Sequence, residues 1–355
     1  MTDSAATVLV TGGAGFIGCA LSQRLASAFG RWVVFDSLHP QVHASSTRPT
    51  ELHEAAELVV AEVTDPLAWD ALLADVKPDI VVHLAAETGT AQSLHEASRH
   101  AQVNVVGTTT MLDALGRSNL VPSHFLLSSS RAVYGEGAWQ NEEGETVMPG
   151  QRSHAQLERR EWDFAGCEPL PSTVSQTWPT PTSVYGATKL AQENILSAWT
   201  GAHDSRLTAL RLQNVYGPGQ SLINSYTGIV SLFSQWAKAG KSIPIYEDGL
   251  ITRDFVFIDD VVDAFAAAVA RRPAASPARY DVGSGVETTI LRLAEIIADY
   301  HGAPTPHVVG EYRDGDVRFA ATLVEPTTTA LGWLPQTSVE DGIAQLQAWI
   351  AAQEH

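Results

Sequence analysis

The segment SVYGATK places Tyr185 and Lys189 four residues apart, so that on a helix both side chains project from one face. A free tyrosine keeps its proton up to a pKa of about 10 and is a weak base at neutral pH. A neighbouring ammonium group lowers that pKa, and the phenolate can then accept a proton from a hydroxyl group. The pair therefore predicts proton transfer wherever the fold brings a ligand to it, although many exposed helices carry the same two residues.

A second stretch, SSSRAVYG, presents three adjacent hydroxyls, Ser128 to Ser130, followed by Arg131. It comes after an apolar run, His124 to Leu127, that is typical of the end of a buried strand. Hydroxyls at the mouth of a sheet suit a serine nucleophile, a dehydratase, or a site that only holds a substrate. These residues alone leave the three alternatives open.

The segment VLVTGGAGFIG carries Gly12, Gly15 and Gly18 directly after an apolar run. Glycines at this spacing permit a tight turn, close approach of a pyrophosphate to backbone N–H groups, and tight helix–strand packing. The next run, WVVFD, ends in Asp36 about 20 residues later, where an acid binds the ribose and repels a 2′-phosphate. The pattern predicts NAD rather than NADP as the cofactor. Glu62 and Val63, at the end of the third run, are candidate neighbours of the adenine, although a surface acid would look the same.

These residues must be positioned by a sheet. Apolar, β-branched runs alternate with helical segments: TVLV, RWVVFD, AELVVAEV, DIVVHLAA, HFLLSSS and RLTALRLQN. Strands buried on both faces have this composition, and strand–helix alternation predicts a parallel sheet. The predicted fold class is α/β, a Rossmann-like doubly wound parallel sheet with a smaller, interleaved C-terminal substrate-binding region.

The same pattern divides the chain. We assign residues 1–213 to an NAD-binding domain, interrupted at about 136–180 by a polar insertion that is too long for an ordinary connection. Residues 214–355 form mainly the substrate-binding region, and the strand-then-helix segment RDFVFIDDVVDAFAAAVA predicts that residues 252–284 return to the main sheet. Further helices are predicted at Ile229 to Ala239, Leu291 to Tyr300 and Val339 to Ala352.

The composition argues against several classes of protein. A formal net charge of -18 disfavours a nucleic-acid or anionic-membrane surface, because phosphate backbones attract clustered Lys and Arg. Cys19 and Cys167 are too few for a disulfide scaffold and lack metal-ligand spacing. The chain has no apolar run of about 18 residues, and its first residues are acidic where a signal peptide would be basic. We expect a cytoplasmic protein without a metal, a membrane contact or a nucleic-acid partner.

From about Val8 to about Trp349 the chain resembles the extended short-chain dehydrogenase/reductases of the nucleotide-sugar epimerase and dehydratase kind. The segments that carry the resemblance follow in the family's order: TGGAGFIG, HLAAE, VNVVGT, SSSRAVYG, YGATK, LRLQNVYGPG, TRDFVFIDDV, DVGSG and RDGDVR. The resemblance implies that Ser130 holds the reacting oxygen of the substrate beside Tyr185, with Lys189 as the third catalytic residue. No glycine-flanked nucleophile elbow surrounds Ser130, and His83 and His124 are better explained as strand residues.

The resemblance also implies the binding residues. On the cofactor side these are Gly12, Gly15, Phe16, Ile17, Gly18, Asp36, Glu62, Val63, Leu84, Ala85, Ala86, Tyr185 and Lys189. On the substrate side they are Glu87, Thr88, Ser130, Arg131, Asn214, Arg253 and Arg313. Guanidinium groups at 253 and 313 would bind a diphosphate in a bidentate way, and Arg318 is a weaker candidate for the same role.

The chain departs from the family pattern at informative positions. Sugar 4,6-dehydratases have an Asp-Glu pair where this chain has Arg131 and Ala132, so dehydration is not expected. The family often has Asn where this chain has Asp281, and an acid where it has Thr322. Related 4-epimerases often carry a paired-cysteine element in the insertion, whereas here Cys167 stands alone and supports no zinc site.

The expected activity is NAD-dependent 4-epimerisation of a dTDP-6-deoxyhexose through transient oxidation at C4. The segments HLAAETGTAQSLHEASRH, SSSRAVYGEGAW and LRLQNVYGPGQSLINSYTGIVSLFS resemble bacterial dTDP-L-rhamnose 4-epimerases, which make dTDP-6-deoxy-L-talose. A nucleotide-sugar 4-ketoreductase and a UDP-sugar 4-epimerase are alternatives. The intact set of Ser130, Tyr185 and Lys189 disfavours a non-enzymatic NAD-sensing scaffold. By analogy with the family we expect a homodimer.

Overall fold

The computed structural model describes residues 5–221 and 228–353. The predicted motif LRLQNVYGPGQSLINSYTGIVSLFS includes residues 222–227, which lie outside the described residues. The strands, in chain order, are β1 (Thr7–Thr11), β2 (Arg31–Asp36), β3 (Ala56–Val60), β4 (Ile80–His83), β5 (His124–Ser130), β6 (Trp139–Asn141), β7 (Thr146–Val147), β8 (Cys167–Pro169), β9 (Arg206–Leu212), β10 (Asn214–Tyr216), β11 (Pro244–Ile245), β12 (Thr252–Phe257), β13 (Ala278–Val282), β14 (Glu287–Thr289), β15 (His307–Val308) and β16 (Phe319–Ala320).

The α-helices, in chain order, are α1 (Phe16–Leu25), α2 (Pro66–Asp75), α3 (Thr90–His95), α4 (Ala97–Ala101), α5 (Gly107–Arg117), α6 (His154–Glu158), α7 (Val184–Ala202), α8 (Ile229–Lys238), α9 (Ile258–Ala270), α10 (Ile290–His301), α11 (Glu325–Leu331) and α12 (Val339–Ala352). The helices predicted at 229–239, 291–300 and 339–352 are thus confirmed as α8, α10 and α12. Short 3₁₀ turns cover Ala26–Ala28 and Arg131–Tyr134, and a π-helical turn covers Gln102–Val106.

A seven-stranded parallel sheet in the order β13-β9-β5-β4-β1-β2-β3 forms the centre of the molecule. After β3 the chain crosses back to place β4 on the other side of β1. The direction of winding therefore reverses between β1 and β4, and ligands of such sheets bind outside the carboxyl ends of the strands at that point. The predicted Rossmann-like doubly wound sheet is confirmed.

The strands are apolar on both faces because helices cover both sides of the sheet. Along β1, Val8 and Val10 pack into one hydrophobic cluster, while Leu9, between them, packs into the cluster on the opposite face. The same alternation separates Leu126 from Phe125 on β5. Burial on both faces explains why the sequence shows continuous apolar runs.

The smaller C-terminal sheet is built around β12, which pairs with β10, β14 and β16. The prediction that residues 252–284 return to the main sheet is corrected for Thr252–Phe257, which belong to this smaller sheet; β13 lies in the main sheet beside β9. Every residue of β12 is buried, as in a central strand of the main sheet. Burial on both faces predicts a strand but does not specify its partner.

The insertion at 136–180 folds as a small antiparallel sheet, β7-β6-β8, followed by loops. Arg152, 2% exposed, ties it to the C-terminal region through two hydrogen bonds of 2.8 and 2.9 Å to Glu247. Arg318 pairs with the same Glu247 at 3.2 Å, with Asp163 at 2.7 Å and with Asp248 at 2.7 Å. The insertion is thus fastened to the C-terminal region by a network of ion pairs centred on the buried Arg152, Glu247 and Arg318.

Candidate active site

One cavity of about 670 Å³ opens at the carboxyl edge of the main sheet, between this sheet and the C-terminal region. All twenty residues predicted for the site line it: Gly12, Gly15, Phe16, Ile17, Gly18, Asp36, Glu62, Val63, Leu84, Ala85, Ala86, Glu87, Thr88, Ser130, Arg131, Tyr185, Lys189, Asn214, Arg253 and Arg313. Arg318 does not line the cavity and belongs to the ion-pair network instead. The structure therefore brings the candidates together, while their individual roles stay predictions.

The glycine turn connects β1 to α1 beside β4. A Cβ on Gly12, whose φ is +66°, would lie 2.6 Å from the Ala85 nitrogen, and a Cβ on Gly18 would collide with the backbone of Gly13. Gly15 differs, because the nearest neighbour of a Cβ built there would be the Gly12 oxygen at 3.4 Å, which is ordinary contact. No side chain caps the N-terminus of α1, which begins after Gly15. The turn therefore leaves an open approach to the helix N-terminus, as a pyrophosphate requires.

Asp36 ends β2 directly beside this turn and is 8% exposed. Its Oδ2 accepts from the Ala14 N–H at 3.0 Å, and its Oδ1 accepts from the Leu38 N–H at 2.8 Å. Two backbone donors fix the carboxylate and leave lone pairs to accept from ribose hydroxyls. The glycine turn and Asp36 together fit a dinucleotide with a free 2′-hydroxyl.

The candidate catalytic side chains come from α7 and the end of β5. Ser183 caps α7 by accepting from the Gly186 N–H at 3.0 Å, which places Tyr185 in the first turn and Lys189 one turn later. A Cβ on Gly186 would collide with the Ala132 carbonyl, so the start of α7 packs directly on the turn that follows Ser130. This close packing brings Ser130, Arg131 and Tyr185 to one end of the cavity.

Burial raises the pKa of Tyr185, whereas hydrogen bonding by Ser130 and the charge of Arg131 lower it. We predicted that the Lys189 ammonium lowers this pKa, but Lys189 is 2% exposed and its Nζ donates to the Ser128 carbonyl at 2.9 Å. Burial lowers the pKa of Lys189 to about 7, which weakens it as a source of positive charge. In this structure the cation that favours the Tyr185 phenolate is Arg131.

Salt bridges organise the substrate side of the cavity. Glu87 pairs with Arg99 at 2.9 Å, and Arg253 pairs with Asp316 at 2.9 Å. The Arg313 guanidinium lies 4.9 Å from the centre of the Tyr246 ring. The side chain of Arg131 has no hydrogen bond or ion pair with the residues described.

Arg131, like Arg313, is therefore a cavity arginine whose guanidinium has no ion pair among the residues described. Burial, together with the neighbouring charge of Arg253, lowers the pKa of its guanidinium to about 9, against the opposing effect of Asp316 and Glu136. Two guanidinium groups close together in a cavity favour an anionic ligand, because a bound anion relieves their mutual repulsion.

Two residues that support the site have no individual signal in the sequence. Asn104, in the π-helical turn, accepts from the Glu87 N–H at 2.7 Å and donates to the Glu87 carbonyl at 3.0 Å and to Thr188 Oγ1 at 2.9 Å. It thereby joins the loop after β4 to the catalytic helix. Gln213 lines the cavity directly after β9. Asn104 lies within the motif VNVVGT, so the resemblance marked its segment but not its role.

The histidines predicted as strand residues are buried. His83 contacts Thr11 Oγ1 at 2.6 Å and Thr108 Oγ1 at 2.9 Å, and burial lowers its pKa to about 3. His124 contacts Thr208 Oγ1 at 2.9 Å. Within residues 5–221 and 228–353 no group of three or more His, Cys, Asp or Glu side chains could hold a metal ion. In the same residues no helix has the length and apolar composition of a membrane span.

Comparisons with known proteins agree with this geometry. Residues 8–154 and 164–283 match the model of the NAD dependent epimerase/dehydratase family. The chain belongs to this family. A dTDP-L-rhamnose 4-epimerase from Burkholderia thailandensis is 62% identical over 344 residues, which cover 97% of this chain and 94% of that protein. The predicted family and its specific resemblance are thereby confirmed.

Solved structures of family members share the fold. The UDP-glucose 4-epimerase of Thermotoga maritima with UDP-glucose is 26% identical, with a TM-score of 0.81 over 98% of this chain and 100% of that one. MoeE5 in complex with UDP-glucuronic acid and NAD is also 26% identical, with a TM-score of 0.75 over 98% and 99%. The chain is an NAD-dependent enzyme, as the glycine turn and Asp36 predicted.

Proposed function

We propose that this chain is a 4-epimerase that interconverts dTDP-L-rhamnose and dTDP-6-deoxy-L-talose. The observation that carries the proposal is the end of β5, where Ser130 lies beside Tyr185 and lowers its pKa, and is followed by Arg131 and Ala132 rather than by acids. The 62% identity to a dTDP-L-rhamnose 4-epimerase supports the choice of sugar.

Tyr185 is the proposed acid and base. Its phenolate accepts the proton of the C4 hydroxyl while Ser130 holds the same oxygen by a hydrogen bond. NAD, held by the glycine turn and Asp36, would supply the oxidation at C4 and the return of the hydride to the opposite face of the sugar. Tyr185 then gives the proton back to the C4 oxygen, so the protein ends each cycle in its starting protonation state.

The sugar has to turn over inside the cavity while its diphosphate stays anchored. Arg253 and Arg313 are the proposed anchors, because both line the cavity and a guanidinium binds phosphate oxygens in a bidentate way. Asn214, at the start of β10, is a further candidate contact to the diphosphate or sugar. On the cofactor side we assign the adenosine ribose to Asp36, and Lys189, one turn after Tyr185, to the nicotinamide end of NAD.

Elimination of water requires a carboxyl group that is free to act on C5 and C6. On the substrate side of the cavity the carboxylates are Glu87 and Asp316, and salt bridges to arginines hold both. The structure therefore supports reversible oxidation at C4 over dehydration. Incubation with dTDP-glucose should give no 4-keto-6-deoxy product.

Turnover of dTDP- and UDP-sugars by the purified protein, without added nicotinamide, tests the proposal. A 4-epimerase regenerates its cofactor in every cycle, so copurified NAD should sustain many turnovers of dTDP-L-rhamnose. A requirement for stoichiometric reduced cofactor would identify a 4-ketoreductase instead. Faster turnover of a UDP-sugar would overturn the assignment of thymine as the nucleotide base of the substrate.

We further propose a cytoplasmic homodimer. Cys19 is buried, Cys167 is partly exposed, and both are free thiols, which suits a reducing compartment. The homodimer rests on analogy with the family. Sedimentation equilibrium of the NAD-bound protein should give twice the chain mass, and a monomer would contradict this part of the proposal.

A further inference from the structure

Gln213 has a buried amide group at the wall of the cavity. Its backbone N–H donates to the Val282 carbonyl at 2.9 Å, which fixes the residue at the carboxyl end of β9. The residue is 5% exposed and lines the cavity. Its Oε1 has no hydrogen-bond partner among the described residues. A buried carbonyl oxygen without a donor is costly, so this position is built for a donor that the protein does not supply.

The register of the sheet places Gln213 at the reacting end of the cavity. Ser130 on β5 is the register partner of Leu212 on β9, so Gln213 lies one residue beyond the catalytic serine on the adjacent strand. The glycine turn and Asp36 follow β1 and β2, which are three and four strands away in the sheet order. At about 4.8 Å per strand, Asp36 is separated from β9 by about 19 Å across the sheet. Gln213 therefore lies at the Ser130 end of the cavity, away from Asp36.

We propose that Gln213 accepts a hydrogen bond from the sugar hydroxyl next to the reacting carbon, an inference that rests on the proposed function. In a 6-deoxyhexose, C4 is flanked by C3, which bears a hydroxyl, and by C5, which bears the methyl group and the ring oxygen. The donor beside the C4 oxygen is therefore the C3 hydroxyl. Gln213 is a specificity residue in this assignment, while Ser130 and Tyr185 act on the C4 oxygen.

An amide can pair with a sugar hydroxyl in either hydrogen-bonding role. It combines an acceptor, Oε1, with two donors on Nε2, whereas a carboxylate can only accept. A sugar hydroxyl can donate to Oε1 or accept from an N–H group on Nε2. When the sugar turns to present its opposite face, C3 and C5 exchange places, so Gln213 meets the C3 hydroxyl in one of the two orientations.

The test compares dTDP-L-rhamnose with its 3-deoxy analogue in wild type and in Q213L, which keeps the side-chain volume and removes the polar atoms. Wild type should prefer the 3-hydroxy sugar in kcat/KM by about 2- to 13-fold, the range for one neutral hydrogen bond. Q213L should lose that factor on dTDP-L-rhamnose and show no preference between the two sugars. Q140L, at an exposed glutamine in the insertion, is the matched control and should behave as wild type.

Each alternative outcome overturns the inference. A Q213L enzyme that keeps the wild-type preference for the 3-hydroxyl shows that Gln213 does not contact it. Loss of copurified NAD, measured after denaturation, shows that the amide pairs with the nicotinamide carboxamide instead. A wild-type enzyme that turns over neither sugar contradicts the proposed function itself and the inference with it. Where Q213L fails to fold, Q213M is measured in its place.

Discussion

Replacing Asp281 by asparagine should stabilise the protein at neutral and alkaline pH and destabilise it slightly in acid. Asp281 on β13 is 4% exposed. Its Oδ1 accepts from the Tyr134 hydroxyl at 2.7 Å, and its Oδ2 accepts from the Val174 N–H at 2.9 Å. Burial raises the pKa of Asp281 to about 6, against these hydrogen bonds and the charge of Arg211. The ionised carboxylate is therefore disfavoured in the folded protein.

The magnitude follows from the difference between the folded pKa of about 6 and the ordinary value of 3.8. About 2.2 pH units correspond to about 3 kcal/mol of folding free energy. The folded state binds this proton more tightly, so the stability is fully present below pH 3.8 and is lost as the pH rises through about 6. Asparagine avoids that loss, but its amide must turn N–H groups toward Tyr134 or Val174, at a cost of about 1 kcal/mol.

The net expectation at pH 8 is a gain of about 2 kcal/mol for Asp281→Asn. At about 2.1 cal/mol/K per residue, unfolding of a chain of this length has an entropy of about 0.75 kcal/mol/K, so Tm should rise by about 3 °C. Thermal unfolding of parent and variant from pH 4 to pH 8, with saturating NAD, measures the difference. The variant should be less stable than the parent by about 1 kcal/mol near pH 4, and it should become the more stable of the two as the pH rises. A difference that does not change with pH would refute the reasoning.

Three further predictions concern the site. Tyr185→Phe should keep NAD and lower turnover by about two to four orders of magnitude, the range for a lost acid or base, and retention of more than about a tenth of the activity excludes Tyr185 as the base. Asp36→Ala should weaken NAD and relax the discrimination against NADP, measured by cofactor titration, and an unchanged preference removes Asp36 from the ribose site. In the parent the charge of Arg131 lowers the pKa of Tyr185, whose phenolate is the active form. Arg131→Met removes that charge, so the acid limb of the plot of kcat against pH should move to higher pH. An unmoved limb would mean that Arg131 does not act on Tyr185.

The main sheet was predictable because each of its first six strands contains a short apolar run and the glycine turn identifies the first crossover. The partner of β12 was not, because a strand buried on both faces has the same composition in either sheet. Only the pairing observed in the structure separates Thr252–Phe257 from β13.

The gathering of the site was predictable because the carboxyl ends of parallel strands meet at one edge of a sheet. The charges that act on Tyr185 were not predictable. The spacing of Tyr185 and Lys189 placed both on one face of α7, but it could not show that Lys189 turns to the Ser128 carbonyl and that Arg131 supplies the nearby charge. Arg253 and Arg318 looked alike in sequence, and only the carboxylates around Arg318 reveal that it holds the insertion in place.

The position of β13 outside β9 determines when the sheet can be completed during synthesis on the ribosome. Until the chain has grown to Val282, the outer edge of β9 has no neighbour, although all but the first of its seven residues are buried in the finished protein. An unpaired apolar edge strand is a template for association with other chains. A fragment that ends at residue 213 would keep the glycine turn, Tyr185 and Lys189, yet would expose this edge permanently. A chain released before residue 282 would therefore present this edge to other chains.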